Sequence, residues 1–167
     1  DARITTIYEG TTGIQAADLV GRKVGFEKGA TAFALIGEMR KLDAELARSR
    51  NTDVTAQRSN LEHAVDGLNR ATQWLVDTFP QDPDAVAAVS VPYLKLWGTV
   101  AGGWLMARAA LIAETQLSAG GGDADFYRAK IATARFYSEH ILPQSGGLAS
   151  EVVNGAGSVL ALTEAQF

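Results

Sequence analysis

Cysteine is missing from all 167 residues. Disulfides, thiol nucleophiles and thiolate metal sites are thereby excluded, and the composition suits a reducing compartment; a cytoplasmic location is expected. Cations are in deficit as well: 15 Lys and Arg stand against 19 Asp and Glu, a formal net charge of −4, with the two signs interspersed. No basic stripe is available to neutralise phosphates, so nucleic acid is not expected as a partner. Histidine occurs only at His63 and His140, without the spacing that lets a helix present a pair of metal ligands, and no metal is expected. Long hydrophobic runs are also lacking. The most apolar region, Ala85 to Ala113, is broken by Lys95 and Arg108, which leaves the twelve residues 96–107 uninterrupted. A membrane span needs roughly 20, so a buried core helix is expected there and not a transmembrane one. Strand signals are nearly absent, because no segment alternates apolar and polar residues over a useful length. The sequence opens on Asp1 without a leader, and the expectation is the middle or end of something longer, or a processed product.

Helical periodicity fills what remains. Apolar residues make up 47% and charged residues 20%, a balance that supports a buried core. Ile14, Leu19 and Val20 predict a short helix ending near Gly25. A second helix follows Gly29, with Ala32, Leu35, Ile36, Met39, Leu42 and Leu46 on one stripe. "RNTD" stops it, and Thr52 or Asp53 is expected to cap the next helix. There Val54, Leu61, Leu68 and Leu75 recur every seven residues, with Val65, Thr72 and Phe79 between them, a seam that calls for a neighbour at a shallow angle. "FPQDPD" ends that helix. A fourth helix is predicted from about Asp84 to Ser118, kinked or restarted at Pro92. Its apolar residues, Trp97 and Trp104 among them, cover most of its circumference, which predicts a central position. "SAGGGDAD" is a linker, with Asp123 as N-cap of a fifth helix that Pro143 and Gly146 should end. The tail from Leu148 to Leu162 predicts a last helix. Short connections between amphipathic helices imply an all-α antiparallel bundle of about five to six helices.

Few residues offer chemistry. His63 reads as a surface helix residue and His140 as a last-turn residue facing its helix dipole. The serines lack a nucleophile-elbow context, and "SAGGGD" has neither a preceding strand nor a Walker lysine. The opening "IYEGTTGIQ" is different. It is a loop entering a helix, with Thr11 or Thr12 as N-cap. From spacing alone Glu9 is either a solvated loop acid or a carboxylate held at a cleft as a general base, with Gly10 leaving room beside it.

Those nine residues resemble the signature near the C-terminal end of acyl-CoA dehydrogenases, the flavoenzymes that introduce a double bond between Cα and Cβ of acyl-CoA thioesters. "GRKVGFEKGATAF", "PYLKLWGTVAGGWLMARAA" and "FYRAKIATARFYSEHILP" resemble the extra helical domain of the larger bacterial members, a group that acts on methylmercaptopropionyl-CoA or on longer acyl chains. The resemblance implies that Glu9 is the catalytic base, that Gly10 lies on the substrate side, and that Thr11, Thr12 and Gly13 lie along FAD. Gly13 stands where many members carry Gln or Glu, and Ala16 where an Arg is common. The resemblance further implies residues 1–25 as the end of a neighbouring catalytic helical domain and residues 26–167 as the extra bundle. An acyl-CoA substrate, an electron-transfer flavoprotein or similar acceptor and a homo-oligomer are expected, with the chain inactive by itself. The other reading is a non-catalytic helical module for interaction or oligomer contact.

Overall fold

A computed structural model describes residues 10–166, the side chain of Glu164 apart. Helix α1 (Thr12–Asp18) runs straight into a π turn, Leu19–Gly25. Ala16, Val20 and Val24 are buried at four-residue spacing, so both pieces share one inward side. The chain then turns through Lys28 (φ 49°) and Gly29 (φ 76°). Glycine is required at the second position twice over. Its φ is left-handed, and a Cβ there would sit 2.6 Å from the Phe33 ring and 2.8 Å from Val76.

Helix α2 (Ala30–Leu46) buries Ala32, Ile36, Met39, Leu42 and Leu46. Leu35, expected on that stripe, stands exposed at its edge. The cap of α3 (Thr52–Thr55) falls one residue earlier than Thr52 or Asp53: the Asn51 side chain accepts from the Asp53 N–H at 2.9 Å. A distant carboxylate holds the loop that carries this cap. Glu114 accepts from the Ser49 hydroxyl (2.6 Å) and from the N–H groups of Arg50 (3.2 Å) and Asn51 (3.1 Å), which fixes the loop. Helix α4 (Arg58–Thr78) follows as a separate helix, and of the heptad seam Val54 on α3 and Leu61, Val65, Leu68, Thr72 and Leu75 on α4 are buried, while Phe79 at the C-cap is only partly so.

Asp82 caps α5 (Pro83–Ala88) by accepting from the Ala85 N–H at 2.9 Å. Helix α6 (Ser90–Ser118) carries Pro92 in its first turn, where no intrahelical N–H is needed; the proline restarts the helix and does not kink it. Asp123 caps α7 (Ala124–Phe136) through the N–H groups of Asp125 and Phe126 at 3.0 and 3.1 Å. Pro143 and Gly146 do not end the helical path. It continues through a π turn (Tyr137–Ile141) and a 3-10 turn (Leu142–Gln144) into α8 (Ser145–Asn154), whose first turn contains Gly146 and Gly147. A short α9 (Ala156–Val159) and a 3-10 turn (Glu164–Gln166) complete the described residues, among which there is no strand. The fold is an all-α bundle.

Contacts fix the directions. Arg58 at the start of α4 pairs with Asp43 near the end of α2, through two hydrogen bonds of 2.8 and 2.9 Å. Thr72 late in α4 meets Tyr93 early in α6 at 2.9 Å. Tyr137, just past α7, donates to the carbonyl of Thr99 in the first half of α6. Each of these neighbours is therefore antiparallel. Helix α8 packs on both α4 and α6. The centre is Tyr93, Leu96 and Val100 of α6 with Leu68 and Leu75 of α4. Trp97 and Trp104 are only half-buried at the margin of that core, not at its centre.

Candidate functional site

The signature lies where α1 begins. Glu9, the sequence-derived base, falls outside the described residues. Gly10 is exposed, and Thr11 is the N-cap of α1 by position (φ −123°, ψ −5°). Its carbonyl accepts from the Gln15 N–H at 2.8 Å, but its hydroxyl makes no capping hydrogen bond. A threonine at this position normally turns its oxygen onto the first-turn amides; the Thr11 hydroxyl does not. Thr12 is half-buried in the first turn, and Gly13 and Ile14 face outward. Among the described residues, a Cβ at Gly10 or Gly13 would meet nothing within 4 Å. The two glycines are thus not required by packing within these residues, and space is left on the outer side of the loop.

Four of the five candidate residues thus sit together, and among the described residues they form a largely exposed helix entrance with no wall facing it. Their placement depends on α1, which packs against α6. Ala16 is fully buried on that helix, so this position is too enclosed for a long cation. The best-walled cleft is elsewhere. About 240 Å³ lies between α2 and α4, lined by Met39, Leu61 and Val65 with Arg58–Asp43 and Arg40–Asp66 across it. All four of those charges are paired. The guanidinium beside Asp43 holds its carboxyl below the usual range, and Asp43 in turn raises Arg58. This is a structural clasp, and Glu62, which also lines the cleft, stands outside the two pairs.

Two features escaped the sequence pattern. One is the pairing of Arg108 with the Trp104 ring, 4.9 Å from guanidinium carbon to ring centroid; the i, i+4 spacing of the two residues was its only signal. The other is the outward side of α6, where Leu105 and Ile112 are exposed although the helix is apolar nearly all round.

The family described as acetyl-CoA dehydrogenase C-terminal like matches residues 35–163. The chain is similar to the 3-methylmercaptopropionyl-CoA dehydrogenase of Ruegeria pomeroyi, with 40% identity over 96% of this chain and 27% of that protein. It is 30% identical, over its whole length, to 28% of the broad-specificity linear acyl-CoA dehydrogenase FadE5 of Mycobacterium tuberculosis. Butyryl-CoA dehydrogenase of Syntrophomonas wolfei is 25% identical over 88% of this chain and 24% of its own length. The chain thus spans about a quarter of the length of these relatives.

Proposed function

The chain belongs to the acyl-CoA dehydrogenase family, in its C-terminal-like part, and from that premise we propose that it is the C-terminal portion of a FAD-dependent acyl-CoA dehydrogenase with Glu9 as the base. The observation that carries the reading is the open helix entrance at Gly10 to Gly13, directly after Glu9 and set on the bundle through the buried Ala16. Residues 1–25 close the catalytic helical domain in this reading, and residues 26–167 form the added bundle. The substrate is an acyl-CoA thioester; the acceptor is an electron-transfer flavoprotein or a similar protein, and the enzyme is a homo-oligomer working in the cytoplasm.

The residues at this entrance suit one edge of a flavin site: a hydroxyl at Thr11 not used for capping, and two glycines with open space beyond their α-carbons. FAD, when bound, supplies the hydride acceptor. The residues of this chain supply the base and its surroundings. Glu9 takes the α-proton, Gly10 leaves the thioester room to lie close, and the Glu9 backbone N–H donates to the thioester oxygen as charge develops there. Thr11, with Thr12 and Gly13 behind it, lies on the FAD side.

The test is flavin reduction in the full-length enzyme with saturating acyl-CoA. Glu9→Gln keeps the backbone donor and removes the base, so acyl-CoA should still perturb the flavin spectrum while reduction slows by about 10⁴-fold or more. Glu9→Asp should recover part of the rate. Reduction of Glu9→Gln at nearly the parental rate would place the base elsewhere.

A further inference from the structure

The π turn Leu19–Gly25 continues α1 into the bundle, where α2, α4, α5 and α6 all pack against it. Its last residue is the tightest point. A Cβ on Gly25 would lie 2.8, 2.9 and 2.9 Å from three atoms of the Phe79 ring, where carbons in ordinary contact stand about 3.5–4.0 Å apart. The ring is therefore seated directly on the Gly25 backbone. Phe79 has little freedom to retreat. It is the C-cap of α4, packed against the core, and its N–H donates to the Leu75 carbonyl at 2.9 Å. The chain after it is tied as well, because the N–H groups of Gln81 and Asp82 both donate to the Thr78 carbonyl. On the other side of the contact the Gly29 N–H donates to the Val24 carbonyl at 2.9 Å. Lys28 keeps its left-handed backbone there, which a residue other than glycine does only where its surroundings over-determine it.

We propose that Phe79 is a positioning residue for the dehydrogenation: its ring, seated on Gly25, sets the tilt of α1 and with it the place of the Glu9 loop. The inference rests on the dehydrogenase reading above. In that reading Gly25 closes the catalytic helical domain and Phe79 belongs to the added bundle, so one side chain reaches across the seam between them. Leverage gives the contact its effect. The helical rod has one support at the buried Ala16 and another at Gly25, about 13 Å apart by helix rise. Gly10 lies about 9 Å beyond Ala16 on the same measure. Raising Gly25 by about 1 Å, as a methyl beneath it would require, swings the Gly10 end about 0.7 Å the other way. A misplacement of about 1 Å at the reacting atoms can cost about 100-fold in rate.

The full-length enzyme gives the test, by flavin reduction with saturating acyl-CoA well below the melting temperature. Gly25→Ala should slow reduction by about 10- to 100-fold. Flavin content should stay parental, as should the affinity for acyl-CoA read from the change in the flavin spectrum. Adding Phe79→Leu to Gly25→Ala withdraws the ring and should restore most of the rate, the non-additivity of two groups in contact. Gly103→Ala is the control for packing damage, since its Cβ would strike Leu142 inside the bundle. It should melt earlier and still reduce its flavin at the parental rate. Parental reduction by Gly25→Ala would overturn the proposal. Equal slowing in Gly103→Ala would do the same, because any loosening would then suffice, and so would a double variant no faster than Gly25→Ala. If Gly25→Ala does not fold, Phe79→Leu alone decides: it should slow reduction about 3- to 10-fold at unchanged affinity, and a parental rate there sinks the idea. Glu9→Gln keeps the two readings apart. A parental rate in Glu9→Gln removes the base assignment and this inference with it, whereas slow Glu9→Gln beside parental Gly25→Ala removes the inference alone.

Discussion

Thr72 has one hydroxyl proton and donates it to the carbonyl of Leu68 at 2.8 Å, so in the 2.9 Å contact between Thr72 and Tyr93 the phenol is the donor. Both residues are fully buried. Tyr93→Phe removes a donor and leaves Thr72 bonded to Leu68, a loss of about 1 kcal/mol. Thr72→Val strands the phenol in the core and should cost more, about 1–3 kcal/mol. Urea unfolding of the two variants ranks them, and the reverse order would mean that the hydroxyl proton points the other way. Burial raises the Tyr93 phenol above its ordinary value of 10.0. A raised folded-state pKa contributes stability that is complete below pH 10 and is lost as pH rises beyond it. The alkaline fall in stability should therefore be shallower in Tyr93→Phe. Asp43 has the opposite sign. Its hydrogen bonds from Arg58 lower its pKa from 3.8, so the contribution is present above that pH and lost below it. Asp43→Asn should flatten the acid limb alone, and only slightly, because the pair is nearly half exposed to solvent.

Helix α6 holds two glycines with opposite prospects. Gly98 has open space about it, and Gly98→Ala should stabilise by about 0.5–1 kcal/mol through helix propensity. Gly103 is buried, and a Cβ there would lie 2.7 Å from Leu142. Gly103→Ala should destabilise by about 1–3 kcal/mol despite the same propensity gain. Thermal melts of both variants decide it, and a common sign would mean that Leu142 yields freely.

How far this helix could be read from its sequence shows where pattern stops. The heptad seam of Val54, Leu61, Leu68 and Leu75 was legible because a stripe with polar flanks declares its own inside. Helix α6 is apolar nearly all round, so its pattern gives its central place but not which residues face in: Tyr93, Leu96 and Val100 do, while Trp97 and Trp104 are half-buried and Leu105 and Ile112 exposed. The cap at Asn51 lies on a loop held by Glu114, 63 residues away, a contact that local pattern does not carry. The π turns at 19–25 and 137–141 have no residue signature to find. The site was legible only as a short motif, since spacing alone left Glu9 between loop acid and base.

At the scale of the whole molecule, the described residues place the signature on an edge and hold nothing opposite it. The 167-residue chain by itself should neither retain FAD through purification nor oxidise acyl-CoA. Flavin absorbance persisting through gel filtration would refute this. The feature with the longest reach is the buried line of Ala16, Val20 and Val24. In the proposed reading it makes the bundle the anchorage of the loop that carries Glu9. Heat should then silence the enzyme before it bleaches it: turnover should disappear together with the tryptophan signal of Trp97 and Trp104, at a temperature where flavin is still held. Ala16→Arg would move that failure down to ordinary temperatures by prising the anchorage open, leaving a yellow protein that binds its cofactor and has lost its grip on the proton.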